Sequence, residues 1–478
     1  MENKTVFRAH PVYVYKILKR FVFVLILPVV KGLVQYIMYR RISGVLLLEG
    51  IALGVVAAIS LVRLLTFKIT ASRDVIVIED GIFLHKKAEI PINKISSVTT
   101  NGHILLDIFG AVGMSINTEV GAHGKKDFDF KLYKSDAAAL ETLIYGNNPQ
   151  VEMRFPVREV ALLSATATSA VTGLLVGVPI LNRVGKLTGI AVSQLLLEKI
   201  SSFSKAFETY FPPVVNAITL FFIALYVFSF LLSFLRNMFF KICTDNEKLE
   251  IKSGFYFRRR RIFRKSSVND ICVEQTPLMS LFGAYTVRVG VGGYGGEKGE
   301  RSTVIPGCKR ARIKKCFSTV FPGIVERKEL LRCERTKQQK RRFFFTSFVW
   351  LWIILAVTST LAIIFPSFGR LILFVALVAI GFDAYYARVM LKGYRTGGIN
   401  IGKTITARGT AGFTVRELYA AKENVGHIRI FRTPADIKYG TCKIKTTVRS
   451  ESCDSVNVRN VDFKETLSKI KTAYGINE

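Results

Sequence analysis

Histidine, tryptophan and acidic side chains are scarce here: 5 His, 2 Trp and 35 Asp/Glu against 68 Lys/Arg in 478 residues. The histidines (His10, His85, His103, His123, His427) are scattered, with no H-E-x-x-H pair and no cysteine partner. The seven cysteines (Cys243, Cys272, Cys308, Cys316, Cys333, Cys442, Cys453) contain no C-x-x-C or Cys/His spacing. Neither a zinc site nor a redox motif is therefore supported, and reduced structural thiols are the reading. The glycine-rich run Gly290–Gly299 lacks G-x-x-x-x-G-K-[ST] and is not followed by a helical pattern. It reads as a hairpin loop between two strands. No acid/base or nucleophile constellation is visible, so the chain is expected to be no enzyme and to need no cofactor or metal. The N-terminal apolar stretch also lacks a small-residue cleavage site, so it reads as a retained span.

What is abundant is positive charge and apolar length. A formal charge of +33 and a pI near 10 are the usual footprint of a polyanion binder. Yet the mean hydropathy is +0.32 although 22% of residues are charged, so the apolar residues must be concentrated in blocks. Six segments are long enough to cross a hydrocarbon core: Phe21–Tyr39, Ile42–Phe67, Val160–Leu181, Val214–Leu235, Phe343–Ile364 and Leu371–Met390. Lys4, Arg8, Lys16, Lys19 and Arg20 before the first, and Lys337, Lys340, Arg341 and Arg342 before the fifth, place both flanks in the cytoplasm. The pair Arg40–Arg41 dissents, because it falls in an outer turn.

Each pair of spans is followed by a polar, strand-patterned segment, and these segments repeat. Gly81 matches Gly254, Ile95 matches Val268, Val98 matches Ile271, and Ile108–Phe109–Gly110–Ala111 matches Leu281–Phe282–Gly283–Ala284. In a third, more diverged copy Val425 and Ile428 keep the spacing, and Tyr439–Gly440 stands where Phe–Gly is expected, with Lys438 and Tyr439 replacing the apolar–Phe pair. Short alternating runs such as Val75–Leu84 and Tyr285–Val291 predict strands. A helix-like tail closes each copy, with Ser135 or Asp136 as a cap in the first and Val461–Tyr474 periodic in the third. Residues 1–66 then hold the first hairpin and 67–150 the first domain. Residues 151–238 hold the second hairpin, with an outer amphipathic connection at 182–213, and 239–338 the strongly basic second domain. The third hairpin falls at 339–390 and the third domain at 391–478.

Two spans, a strand-rich domain, then I/V-x-x-V/I and L/I-F-G about fourteen residues apart resemble the bacterial PH-like domain membrane proteins of the YdbS/YdbT family, and the threefold arrangement is YdbT-like. The resemblance covers nearly the whole chain. It implies a multi-domain membrane protein with six transmembrane helices in three hairpins. Each hairpin is followed by a PH-like split β-barrel with a C-terminal helix on the cytoplasmic side of the cell membrane. It also implies no enzyme activity, a loose link to defence against membrane-active peptides, and a smaller one-domain PH-like membrane protein as partner.

Charge is divided unevenly among the copies. Residues 236–342 contain 26 Lys/Arg against 10 Asp/Glu, residues 388–478 contain 17 against 8, and residues 67–150 contain 9 against 10. A generic requirement of the fold would charge all three alike. The densest run is Gly254–Val268 (GFYFRRRRIFRKSSV), with Arg258, Arg259, Arg260, Arg261, Arg264 and Lys265 among aromatics. Arg260–Arg261 is not expected to alternate cleanly in a strand, so part of the run is expected in a turn. Three readings stay open: contact with anionic lipid or another polyanion, a solvated basic face that supports orientation, and nucleic acid. The last is disfavoured by the membrane spans.

Within the spans, Lys31 and Glu49 lie at similar depth below the first outer turn, so either they pair or Lys31 snorkels and Glu49 is protonated. Asp383 lies near an interface. Gly50 with Gly54, and Gly173 with Gly177, have the small-residue spacing of helix contacts. In the outer connection Leu196, Ile200, Phe203, Phe207 and Tyr210 share a helical face suited to the interface. A membrane protein binding partners or lipid headgroups is favoured. A transporter or export component is the alternative, although the spans offer few polar residues for a path.

Overall fold

The computed structural model describes residues 5–14, 44–81, 86–119, 127–146, 151–167, 213–292, 302–321, 330–331, 337–448 and 455–475. The chain divides into two compact units. One contains residues 1–153, 241–267 and 291–299; the other contains 154–240, 268–290 and 300–478. The division falls inside the second copy, after Ser267.

The first unit opens with β1 (Thr5–Arg8) and the apolar helix α1 (Gly44–Thr66), which leads into β2 (Lys68–Ala71), β3 (Val75–Asp80) and β4 (Lys86–Pro91). These strands form an antiparallel sheet in the order β1-β2-β3-β4. A 3-10 turn (Ile92–Lys94) leads to β5 (Ile95–His103), a five-residue helix α2 (Ile104–Ile108), β6 (Ala111–Thr118), β7 (Phe128–Tyr133), α3 (Lys134–Tyr145) and β8 (Val151–Arg154). The second copy supplies β9 (Lys241–Thr244), β10 (Lys248–Ser253) and β11 (Phe257–Arg264). The second sheet runs β7-β6-β5-β11-β10-β9-β8. Alternating residues Ile69, Ile76, Ile95, Met114, Phe130 and Leu132 meet Leu140 of α3 in one core. Each such side chain, fully buried, contributes about 1.5–3 kcal/mol. Helix α3 starts at Lys134, with Tyr133 at its N-cap and no side-chain cap, so neither Ser135 nor Asp136 takes the expected role. Its C-terminal carbonyls are met instead by Lys248 Nζ, 2.9 Å from the Tyr145 oxygen.

The basic run is the main correction. Only Lys265 enters a turn, the 3-10 turn Lys265–Ser267: Phe257–Arg264, with Arg260 and Arg261 inside it, is one strand, flanked by β5 and β10. A strand interior tolerates consecutive arginines when each face of the sheet offers a place for them, as described below.

The second unit begins with α4 (Val157–Ala167) and α5 (Pro213–Asn237), bonded through Tyr226 to the Ala165 carbonyl (3.0 Å) and Asn237 to Ser164 (3.2 Å). A second 3-10 turn (Lys265–Ser267) precedes β12 (Val268–Gln275), followed by α6 (Pro277–Leu281), β13 (Ala284–Val291), β14 (Ser302–Lys309) and α7 (Arg310–Val320). Residues 293–299 of the glycine-rich run lie outside the described residues, between the paired strands β13 and β14. Helices α8 (Lys337–Ile364) and α9 (Gly369–Thr396) form a hairpin, in which Ser347 Oγ donates to Asp383 Oδ2 at 2.8 Å. The third copy then runs β15 (Gly398–Asn400), β16 (Thr404–Ala411), β17 (Thr414–Ala421), a 3-10 turn (Lys422–Asn424), β18 (Val425–Phe431), α10 (Pro434–Lys438), β19 (Thr441–Val448), β20 (Ser455–Asp462) and α11 (Phe463–Tyr474). The sheet order is β14-β13-β12-β17-β16-β20-β19-β18, with β15 on β16. Despite its divergence, the third copy carries the same order of elements as the first two.

Among the described residues three helices are long and apolar enough to cross a membrane: Thr219–Asn237, Lys340–Ile364 and Pro366–Thr396. They correspond to the last three of the six expected spans, and the last two form one complete hairpin. The first expected span lies outside the described residues. The second contains α1, whose Gly54–Thr66 part counts as a shorter apolar helix, and the third is described only at its start in α4.

The copies are joined by strand pairing. In the first unit β5 pairs with β11, with Val98 opposite Ile262. In the second unit β12 pairs with β17, with Ile271 opposite Tyr419. Since Ile95, Val268 and Val425 each follow a 3-10 turn, these are equivalent positions, and the two joints have the same register.

Candidate membrane-surface site

Along β11 exposure falls from Phe257 to Phe263 and rises again at Arg264. Arg258 is open, with a side chain 75% exposed and Asp107 3.9 Å away. Arg259, Arg264 and Lys265 are half-buried, and Arg261 is buried. Arg264 Nη1 donates to the Asn93 carbonyl at 3.2 Å. Burial holds the Lys265 ammonium below its ordinary pKa. Arg260 donates to both Glu141 of α3 and Glu250 of β10, whose residues are only 5% and 2% exposed. Burial acts against the Arg260 charge, but the two carboxylates outweigh it and raise its pKa. Thr100 Oγ1 also donates to Glu141, and Lys252 lies 2.9 Å from Glu250. Of the six basic candidates, then, Arg260 and Arg261 are absorbed by the sheet, and Arg258 is the one presented openly.

The second joint holds the same position with the opposite sign. Glu417 of β17 is the counterpart of Arg260, and it accepts from Arg310 of α7 (2.8 Å), Arg408 of β16 (2.6 Å) and the Tyr419 hydroxyl. Burial pushes the Glu417 carboxyl up, and Arg408, Tyr419 and Arg310 more than reverse this, leaving it below its ordinary value. Beside it lies a cavity of about 320 Å³ lined by Tyr285, Arg310, Lys392, Arg408 and Glu417. The Tyr285 hydroxyl is 3.1 Å from Lys392 Nζ, and Arg310 lies over its ring. Burial raises the phenol pKa, but Lys392 and Arg310 bring it below the ordinary value. Three cations against one carboxylate leave this cavity suited to an anion.

The L/I-F-G motif of the first two copies, and Lys438–Tyr439–Gly440 in the third, form an elbow. Gly110, Gly283 and Gly440 have φ of +68°, +61° and +63°, the left-handed region that glycine enters without steric cost. Each donates its N–H to a carbonyl of the preceding five-residue helix, from Asp107, Ser280 and Ile437. In the first and third copies its own carbonyl accepts from the first residue of the closing helix, Lys134 and Phe463. The residues before the glycine are left uncovered: Ile108 and Phe109 are 71% and 64% exposed, Leu281 and Phe282 71% and 63%. Ile437 and Tyr439 are exposed in the third copy.

The elbows stand where the helices begin or end. In the first unit Arg8 pairs with Lys68 just after α1, and the His10 ring lies 4.4 Å from Tyr133, which pairs with Ala111 beside Gly110. At this end His103 packs on Tyr256 and Phe257, which with Phe255 are exposed beside Arg258. In the second unit Met279 of α6 and Ala284 pack on Leu163 of α4. Arg342, at the start of α8, binds Asp436 of α10 at 2.6 Å and covers the Tyr439 ring.

A family model described as Bacterial PH domain matches residues 22–148 and 186–320, more than half of the chain. The chain belongs to the bacterial PH domain family. Comparisons with curated proteins and with solved structures found no match. PH-like domains are protein- or lipid-binding modules, and here they accompany helices able to cross a membrane. The third PH-like copy lies beyond the matched residues, and its elbow and sheet follow the other two.

Of the remaining candidates, Lys31, Gly173, Gly177 and most of the 182–213 connection lie outside the described residues, and Glu49 and Gly50 belong to α1 with no described side-chain surroundings. A Cβ added at Gly54 would meet nothing within 4 Å, so no close helix approach is made there among the described residues. The exposed elbows escaped the sequence reading. Their signal, Ile–Phe–Gly and Leu–Phe–Gly, marked the repeat, but a short apolar pair looks like core until its neighbours in space are known.

Proposed function

We propose that this chain is a non-enzymatic, multi-pass cell-membrane protein with six spans, whose PH domains rest on the inner leaflet and bind anionic lipid headgroups. Protection of the membrane against membrane-active peptides is its proposed role. The observation that carries the reading is the placement of uncovered apolar elbows at the bases of apolar helices, with exposed Arg258 beside the first. Apolar tips with a basic rim suit the headgroup boundary, where each Lys or Arg contributes about 1 kcal/mol of attraction. A transport path would need polar residues across the spans, whereas Asp383 is bonded to Ser347 within its own hairpin.

Dye-labelled cysteines at Phe109, Phe282 and Asn93, placed in the full chain in anionic liposomes, test this reading. Asn93 lies beyond the opposite end of β5, roughly 30 Å from the elbow at about 3.3 Å per residue. Brominated lipid should quench the labels at 109 and 282 and leave the one at 93 untouched. Equal access of a water-soluble quencher to all three would sink the reading.

A further inference from the structure

Both joints obey one rule: the strand that opens the second half of one copy (β5, β12) pairs with the strand that ends the first half of the next (β11, β17). The rule leaves one strand of each kind over. β18 is the counterpart of β5 and β12, and β4 is the counterpart of β11 and β17. Each is the end strand of its sheet, β18 held by β19 and β4 held by β3.

Burial follows the pairing. Ser97, Val98 and Thr99 in β5 are buried, as are Asp270, Ile271 and Cys272 in β12. Their counterparts in β18 are His427 and Arg429, both exposed, and Ile428, half-buried. β18 reads VGHIRIF, with no lysine and no proline to blunt the edge, and Phe431 stands exposed. β4 carries Lys86 and Lys87, which discourage indiscriminate pairing, and ends in Pro91. The positions equivalent to Pro91 are Arg264 and Ala421, which pair in neither joint, so the proline does not obstruct this geometry.

We propose that β18 of one chain adds to β4 of a second copy of the same chain, in the register of the two internal joints. Ile428 then faces Glu89, and Phe431 faces Lys86. A second copy is the occupant because it brings the one described strand of the required kind still open, with the same turn after it. Main-chain hydrogen bonds supply the attraction, as in other strand additions. The contact is heterologous, each chain offering one edge of each type, so it repeats from copy to copy, closing a ring or extending as a filament according to its rotation.

The test uses full chains with two different tags in native membranes, with Cys333 and Cys453 replaced by Ser. One chain carries Glu89→Cys and the other Ile428→Cys. Oxidation should yield a disulfide-linked species containing both tags, absent when Ile428→Cys is replaced by Glu423→Cys. His427→Lys with Phe431→Lys, both at exposed positions of the edge, should abolish the mixed species while leaving the chain folded in the membrane. No mixed species, or capture of a different protein alone, would overturn the proposal.

Discussion

The β5–β11 and β12–β17 joints share a register and invert their charge. In the first, Arg260 sits between Glu141 and Glu250; in the second, Glu417 sits between Arg310 and Arg408. The shared register comes from the repeated backbone, a strand, a three-residue 3-10 turn and a strand. The inverted charge distinguishes one joint from the other. Were β11 to take the place of β17, Arg260 would meet Arg310, and like charges brought together cost several kcal/mol. The basic run that drew attention in the sequence thus serves first to match copy to copy, and only at its Phe257 end to face outward.

The strongest way to break the comparison is Arg260→Met. Two buried carboxylates lose their shared cation, and removing one partner of a buried pair costs about 3–5 kcal/mol. Denaturant unfolding of the detergent-solubilised chain should show that loss, while Lys87→Met, at the equivalent place on β4, should leave unfolding unchanged. An unaltered Arg260→Met protein would show that the triad is incidental.

Glu417→Gln is the mirror experiment. The amide keeps hydrogen bonding but leaves two arginines without their carboxylate, a cost of about 1–3 kcal/mol. Acid should act on the same group. Its folded pKa lies below the ordinary value of 4.5, so its stabilisation is complete above that value and is lost as pH falls below it. Amide exchange in β12 and β17 should accelerate in that window, and Glu417→Gln should remove the pH dependence.

A smaller effect is expected at the elbow. Gly283→Ala meets no neighbouring atom within 4 Å, so only the left-handed backbone resists, at about 1–2 kcal/mol. The smallest change in stability, within about 0.5 kcal/mol, is expected for Arg258→Gln, an exposed side chain. Its effect should be on attachment: if Arg258 touches the leaflet, the difference between anionic and neutral liposomes in quenching of the Phe109 label should shrink.

Much of the local structure was legible. Glycine at the elbows, the alternation in Val75–Asp80 and the periodic closing helix after Asp462 each follow from short-range sterics and patterning. Asp462 caps that helix by accepting from the Glu465 amide, although β20 claims Val461 and Asp462 themselves. The fate of the arginines was not legible, because Glu141 lies 119 residues from Arg260 and no local pattern connects them. That β4 and β18 end their sheets among the described residues was hidden for the same reason.

By itself the sequence determined a threefold repeat of strands and a closing helix beside long apolar helices, since backbone preference and hydrophobic periodicity act over neighbouring residues. The tertiary structure alone decided which strands continue into the next copy, which arginine is neutralised and which apolar pairs stay uncovered. Those outcomes depend on partners far apart along the chain, brought within hydrogen-bond and ion-pair range only by the folded sheets.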